Sequence, residues 1–341
     1  MTVSPYTKHW QLGENILAVA FSRDGSLGAA SLVDGTVLLL KDGEEKRVTA
    51  HPNGAPLSFC RDAEADAFLS AGDDGRVVRL CWDKEPETLI EQKGAWIDNV
   101  AAHESGLRAY STGRMVFILG RKDPLPHSST VGGIAFHPNG KRLAVSHYNG
   151  VSLWWLNAKD SKPHTLIWKG SHLRCLFSPS GDYLMTTMQE NALHGWRMKD
   201  FAELRMAGYA GKVHSFEFSQ KGKWLITSGA DQLICWPFTG GGPQGKPPMA
   251  LGVPEGRPVT VVAPHPKDDM TVAGYASGRV ILALFEDRLP IELIPPDNVP
   301  VSALAWSPDG TQLLSGHENG RLCLYTSQSI IAASEAALSG V

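Results

Sequence analysis

The chain has 341 residues, of which 43% are hydrophobic and 20% charged, a composition ordinary for a folded protein. It is too long for one ordinary core, so we expect several domains or a repeat array. The net charge of −3 gives no basic excess for nucleic acid binding, and no apolar stretch approaches the ~18 residues of a membrane span.

The cysteines and the first residues indicate a reducing compartment. Five cysteines are scattered without any Cys-x-x-Cys pair, so we expect buried thiols rather than disulfides or a zinc site. The segment Met1–Trp10 has neither an apolar core nor a small-residue cleavage site. We therefore predict a cytoplasmic protein.

One segment pattern recurs about eight times along the chain. Each copy has an alternating apolar run, a turn such as Pro-Asn-Gly, a second apolar run, an Asx-Gly turn and a third run; Ile134–Ser146 and Leu304–Ser315 are clear examples. The mean spacing is about 41 residues, which is typical of a four-stranded propeller blade. The residues that precede the first turns, used here as anchors, are Phe21, Phe59, Ala102, Phe136, Phe177, Phe218, Pro264 and Trp306.

The remaining strands follow from the same reading. Candidate fourth strands include Thr165–Trp168, Ala202–Met206 and Ile291–Ile294, whereas Ser329–Leu338 has a helical pattern. Small residues dominate the position before each anchor, as expected for innermost strands crowded around a channel. Ser58 and Glu217 stand at this position in the second and sixth copies.

The pattern resembles the tryptophan–aspartate (WD) repeat family. The resemblance implies an all-β chain with one closed propeller of four-stranded antiparallel blades. We favour eight blades, with seven as the alternative, over residues 1–326, followed by a short tail at 327–341. The strand Lys8–Leu12 is expected to complete the last blade and close the ring, because an open ring would expose strand edges.

The family's signature residues are only partly present. Trp155 and Tyr325 occupy its tryptophan position, whereas Leu40 and Leu80 replace it in the first two copies. Its Gly-His pair is intact nowhere, although His51 and His127 stand near that place and Trp196 and Trp236 lie one place early.

The resemblance implies a non-enzymatic scaffold that binds a protein or peptide partner. The partner would dock on the upper face, formed by the loops that lead into each first strand and by the turns between second and third strands. We expect a monomeric propeller within a complex, with exposed aromatic and long charged side chains as anchors. The candidates are Trp96, Tyr148, His172, Lys212, Arg257 and Glu318.

The alternative is a small-ligand, metal-binding or catalytic propeller. Arg174 and Glu217 are the channel candidates, and we expect them to pair across neighbouring inner strands. Five histidines are expected on the upper face (His51, His127, His147, His172 and His317) and three on the opposite, lower face (His103, His137 and His265). No nucleophile motif or ligand spacing supports chemistry, so we assign no catalytic residue, metal or cofactor.

Overall fold

The computed structural model describes residues 7–158, 162–286 and 290–332, which form β-strands and a short helix at 327–332. The part of the predicted tail helix beyond residue 332 lies outside the described residues. The strands are β1 Lys8–Gln11, β2 Ile16–Phe21, β3 Gly28–Leu32, β4 Thr36–Lys41, β5 Glu44–Thr49, β6 Pro56–Arg61, β7 Ala67–Gly72, β8 Arg76–Cys81, β9 Glu87–Glu91, β10 Asn99–Ala102, β11 Arg108–Thr112, β12 Met115–Ile118, β13 Leu125–Pro126, β14 Gly133–Phe136, β15 Arg142–Trp155, β16 His164–Phe177, β17 Tyr183–Met188, β18 Ala192–Arg197, β19 Ala202–Ala207, β20 Phe216–Phe218, β21 Trp224–Thr227, β22 Leu233–Pro237, β23 Met249–Leu251, β24 Val259–Pro264, β25 Met270–Tyr275, β26 Val280–Leu284, β27 Ile291–Ile294, β28 Val301–Trp306, β29 Gln312–His317 and β30 Arg321–Thr326.

Neighbouring strands pair antiparallel, as the predicted all-β propeller requires. Five four-stranded sheets follow chain order: β2–β5, β6–β9, β10–β13, β20–β23 and β24–β27. A sixth has the order β1-β30-β29-β28, and β14–β19 form one six-stranded sheet. The fold is thus a propeller built from four-stranded antiparallel blades.

The apolar core lies between the repeats because alternate strand residues face opposite neighbours. Leu38, for example, packs with residues of the last repeat, whereas Leu39 packs with the second. Among the described residues the core divides into eight clusters, each joining two consecutive repeats, and one of them joins the last repeat to the first.

The predicted Asx-Gly turns orient the second and third strands. In the first repeat, the Asp34 carboxylate accepts a hydrogen bond from the Thr36 backbone N–H at 3.0 Å. Gly35 has φ +82°, and a Cβ there would lie 2.1 Å from the carbonyl oxygen of His51. Glycine is therefore required both by the backbone conformation and by the close approach of the next loop.

The prediction of eight separate four-stranded sheets needs correction, because the described residues form seven hydrogen-bonded sheets. The fourth and fifth repeats share the six-stranded sheet. In this sheet, β15 reverses direction at Asn149 and Gly150, which have positive φ. The two halves of β15 are then joined by a hydrogen bond from the Leu156 N–H to the Lys141 carbonyl at 2.9 Å. Strand β16 pairs with β15 through its first half and with β17 from His172 onward, so one strand joins two repeats.

The last sheet contains a strand from each end of the described chain. Lys8 in β1 pairs with Leu324 in β30, and Gln11 pairs with Arg321. The predicted pairing of the N-terminal strand with the last repeat is therefore present. Ile16 and Val19 of the first repeat pack in one cluster with Leu314 and Leu322 of the last.

The second repeat corrects one predicted register. Arg61 pairs with Phe68, as Phe21 pairs with Gly28 in the first repeat. The structural counterpart of Phe21 is thus Arg61 rather than Phe59, and the innermost neighbour is Cys60 rather than Ser58. The aromatic side chain stands two residues early and hence on the same side of the strand, so alternation alone could not reveal the shift.

Candidate partner-binding face and channel

Exposed apolar side chains gather on the upper face. Among the described residues ten large hydrophobic side chains are exposed, and six of them lie on loops or strand starts of this face. Trp96 is the most exposed of the six, at 65%. The six are Leu17, Val33, Leu57, Trp96, Tyr148 and Val253.

The predicted partner-binding residues differ in accessibility. Trp96 and Tyr148 are exposed, as are Arg257 and Glu318. Lys212 is half-buried and lines, with Glu318, a depression of about 510 Å³ at the mouth of the channel.

His172 lies inside the fifth repeat. It is 1% exposed, and its ring hydrogen-bonds to Thr186 Oγ1 at 2.8 Å and to the Trp168 carbonyl at 3.0 Å. Burial lowers the pKa of His172, so its neutral form is favoured. This ring supports the face from below and offers no surface to a partner.

Two exposed leucines were missed by the sequence analysis. The pairing register of β2 shifts between Ile16 and Ala18, and that of β6 shifts between Pro56 and Ser58. The extra residues at these bulges are Leu17 and Leu57, whose side chains are 40% and 44% exposed. Bulges redirect a side chain, and a period-two pattern does not show where they occur.

Upper-face histidines hold the turns of their own repeats. His51 Nδ1 lies 2.9 Å from Asp74 Oδ1, and His51 Nε2 lies 2.8 Å from Ser70 Oγ. In the fourth repeat the Trp154 indole N–H donates to His127 Nε2 at 3.0 Å. The family's tryptophan position is therefore filled by buried Trp154, and the assignment to Trp155, which is 40% exposed, was wrong.

The fifth and sixth repeats use other pairs. His194 is fully buried, and neither of its ring nitrogens has a hydrogen-bond partner. Its ring stacks on Trp168 with centroids 4.0 Å apart and meets Trp196 edge-on at 4.7 Å. In the sixth repeat the Trp236 indole donates to the Tyr209 hydroxyl at 2.7 Å, so a tyrosine replaces the histidine.

Lower-face histidines connect consecutive repeats. His265 hydrogen-bonds through Nε2 to the Gly310 carbonyl at 3.1 Å and meets the Trp306 ring edge-on at 4.7 Å. His137 meets the next anchor aromatic, Phe177, edge-on at 4.9 Å, and His103 lies tilted against Phe136 with the ring centroids 6.1 Å apart. Their positions on the first turns thus serve packing between repeats.

The channel holds charges from three repeats. Arg174 donates to the His214 carbonyl at 3.2 Å rather than to Glu217. Burial raises the pKa of Glu217, and the positive charges of Arg174 and Arg61 oppose that rise. Arg61, hidden from the sequence analysis by the register error, reaches the Trp306 carbonyl at 3.5 Å.

Comparison with known families supports the repeat assignment. The family described as "WD domain, G-beta repeat" matches residues 123–154, 203–236 and 293–326. Each match starts near or within the outer strand of one repeat and ends in or next to the third strand of the following repeat. The sequence repeat is thus offset by one strand from the hydrogen-bonded blade.

The β-propeller therefore contains WD repeats at these three positions. The propeller is 26% identical over 287 residues to the protein named "Telomerase protein component 1" of Mus musculus, and 26% identical over 286 residues to the protein of the same name from Rattus norvegicus. Each match covers 76% of this chain but 10% of the relative. The propeller chain therefore corresponds to a small part of those proteins.

The described residues of the propeller contain neither a metal-binding cluster nor a membrane-spanning helix. No group of three His, Cys, Asp or Glu side chains is arranged to hold a metal ion. No helix in the described ranges is long and apolar enough to cross a membrane.

Proposed function

We propose that this WD-repeat propeller is a non-enzymatic platform that binds a protein or peptide partner on its upper face. The observation that carries the proposal is the set of six exposed apolar side chains there. Exposed apolar groups within a polar surround are typical of protein interaction sites. The printed name of the relatives describes a component of an assembly, which agrees with a binding role.

Trp96 is the proposed central anchor, with Tyr148, Leu17 and Leu57 around it. Aromatic anchors carry much of the binding energy at protein interfaces because they bury a large area with few rotatable bonds. Lys212, Arg257 and Glu318 are proposed to form the charged side of the same surface, where they would set orientation and association rate.

We further propose that residues 1–326 form a closed ring of eight repeats, with 327–341 as a tail. The eight inter-repeat clusters support this count, since a ring of eight repeats needs eight interfaces. The pairing of β1 with β30 and the cluster between the first and last repeats support closure. On this proposal the six-stranded sheet serves as two blades.

The test compares two exposed tryptophans. A photo-crosslinking amino acid is placed at position 96 or at position 155, which is exposed but lies at the end of a third strand away from the upper face. In native lysate, position 96 should yield a discrete crosslinked protein, identified by mass spectrometry, that position 155 does not. That protein should then bind the purified propeller, and Trp96→Ala should weaken its binding at least about tenfold.

Circular dichroism and the unfolding midpoint would establish that each variant is folded. Equal crosslinking at the two positions, or unchanged binding by folded Trp96→Ala, would place the partner elsewhere and refute the proposed face.

A further inference from the structure

A second cavity lies in the channel, away from the proposed docking surface. It measures about 400 Å³, within the range of small-ligand sites, and the side chains of Arg61, Glu217 and Gln220 line it. Val19, Ala263 and Leu304 form part of its apolar wall. Polar atoms nevertheless make up most of the surface that the cavity exposes, and His265 also lines it.

Arg61 is poorly satisfied in this cavity. Its one hydrogen bond, to the Trp306 carbonyl, is 3.5 Å long, and within the described residues no carboxylate lies close enough to form an ion pair with it. Burial lowers the pKa of Arg61, since its surroundings penalise the charge. A half-buried guanidinium with five donors and one weak acceptor can accommodate a further acceptor.

The neighbouring charges do not neutralise Arg61. Arg23 donates to two backbone carbonyls, those of Asp62 and Ala102, and its own positive charge acts on Arg61. Asp62, the nearby buried carboxylate, is engaged by Arg108 at 2.6 and 2.7 Å. The Asp62 carboxylate is therefore occupied and does not neutralise the charge of Arg61.

The balance of channel charge is positive. Arg61 interacts electrostatically with Glu217 and Arg23, and Glu217 also interacts with Arg174, so in this group three guanidinium groups face one carboxylate. A confined positive potential concentrates anions, and the planar guanidinium matches the oxygen geometry of phosphate.

We propose that the channel cavity binds a small dianionic oxyanion, a phosphate group free or on a small ester, with Arg61 as its main ligand. Gln220 lies where its amide can donate to the same anion. Glu217 opposes binding by repulsion and sets the affinity. The site is independent of the partner-binding face, so failure of either proposal leaves the other intact.

The experiment is isothermal titration calorimetry of the full chain with inorganic phosphate, at constant ionic strength and pH 7.5. The wild type should show one saturable site. Arg61→Gln should weaken binding at least about tenfold, the effect of losing a charged hydrogen bond. Glu217→Gln should strengthen binding severalfold because it removes the repulsion. Arg205→Gln, the same charge change on an exposed outer strand, is the control and should leave binding unchanged.

Several outcomes would refute the proposal. No saturable binding by wild-type protein would do so, as would equal weakening by Arg205→Gln, which would indicate a general charge effect. Loss of binding in Glu217→Gln would also refute it, because the proposal requires this carboxylate to repel the anion. If Arg61→Gln does not fold, Arg61→Lys keeps the charge without the planar fork and should show intermediate affinity.

Discussion

The second and fifth repeats each bury a histidine but stabilise it differently. His51 makes two side-chain hydrogen bonds, to Asp74 and Ser70, whereas His194 makes none and is held between Trp168 and Trp196. The difference shows that a buried histidine in this propeller can be held by hydrogen bonds or by aromatic packing. Replacing the two histidines should therefore change the stability by different amounts.

The largest effect is expected from breaking the aromatic packing. Trp196 is 1% exposed, and Trp196→Ala should lower the free energy of unfolding by about 3 to 5 kcal/mol, because it removes a large buried side chain and leaves a cavity. Denaturant titration followed by circular dichroism measures this. A loss below about 1 kcal/mol would mean that the fifth repeat does not depend on this packing.

Replacing hydrogen-bonded His51 should lower the free energy of unfolding, because its buried polar partners lose a hydrogen bond. His51→Leu keeps much of the volume but leaves Asp74 and Ser70 without their partner, so we expect a loss of about 2 to 3 kcal/mol. The same denaturant titration applies. The double variant His51→Leu, Ser70→Ala should recover part of this lost stability, because it also removes the Ser70 hydroxyl that the single variant leaves without a partner.

Acid should act on the histidines that are buried in the neutral form. Burial lowers the pKa of His194 to about 3 and those of His127 and His317 to about 4, below the ordinary value of 6.5. Their contribution is present above pH 6.5 and is lost as the pH falls toward 4. The two fully buried rings, His194 and His317, should each add about 1 kcal/mol of lost stability per pH unit in that window, and half-buried His127 should add less because solvent screens its charge. Unfolding free energies at pH 7, 6 and 5 measure the slope, and an unchanged stability would contradict it.

The smallest effect is expected at His194 itself. His194→Leu breaks no side-chain hydrogen bond. It gains stability by removing a buried polar ring whose nitrogens are unpaired, and it loses stability because the ring no longer stacks on Trp168. At pH 7.5 the net change should stay within about 1 kcal/mol of wild type. The variant should also lose stability less steeply on acidification. A loss as large as that of His51→Leu would show that His194 has a polar partner in solution.

The sequence was sufficient to predict the strand order because turns and alternation are local. The spacing of Asx-Gly turns predicted the blades, and the pattern of Lys8–Leu12 predicted its pairing with the last repeat. The first follows from backbone rules that act over a few residues, whereas the second came from the resemblance to the WD family and from the exposed edges that an open ring would have. Comparison with the WD family was needed for the idea of a partner-binding face.

The errors came from features that depend on tertiary contacts. Arg61 was missed because Phe59 offered a better aromatic match on the same side of the strand. Trp154 was passed over for Trp155 because a one-residue change reverses which side of a strand is buried. The fusion of two repeats through β16 depends on hydrogen bonds across a connecting segment, which no local pattern encodes.

The pairing of β1 with β30 has a consequence for how the protein is made. A ribosome synthesises β1 more than three hundred residues before its partner β30, so this edge of β1 has no partner strand throughout that interval. At about 5 to 20 residues per second this interval lasts tens of seconds. A nascent chain of this protein must therefore protect its first strand from wrong pairing long before the right one exists.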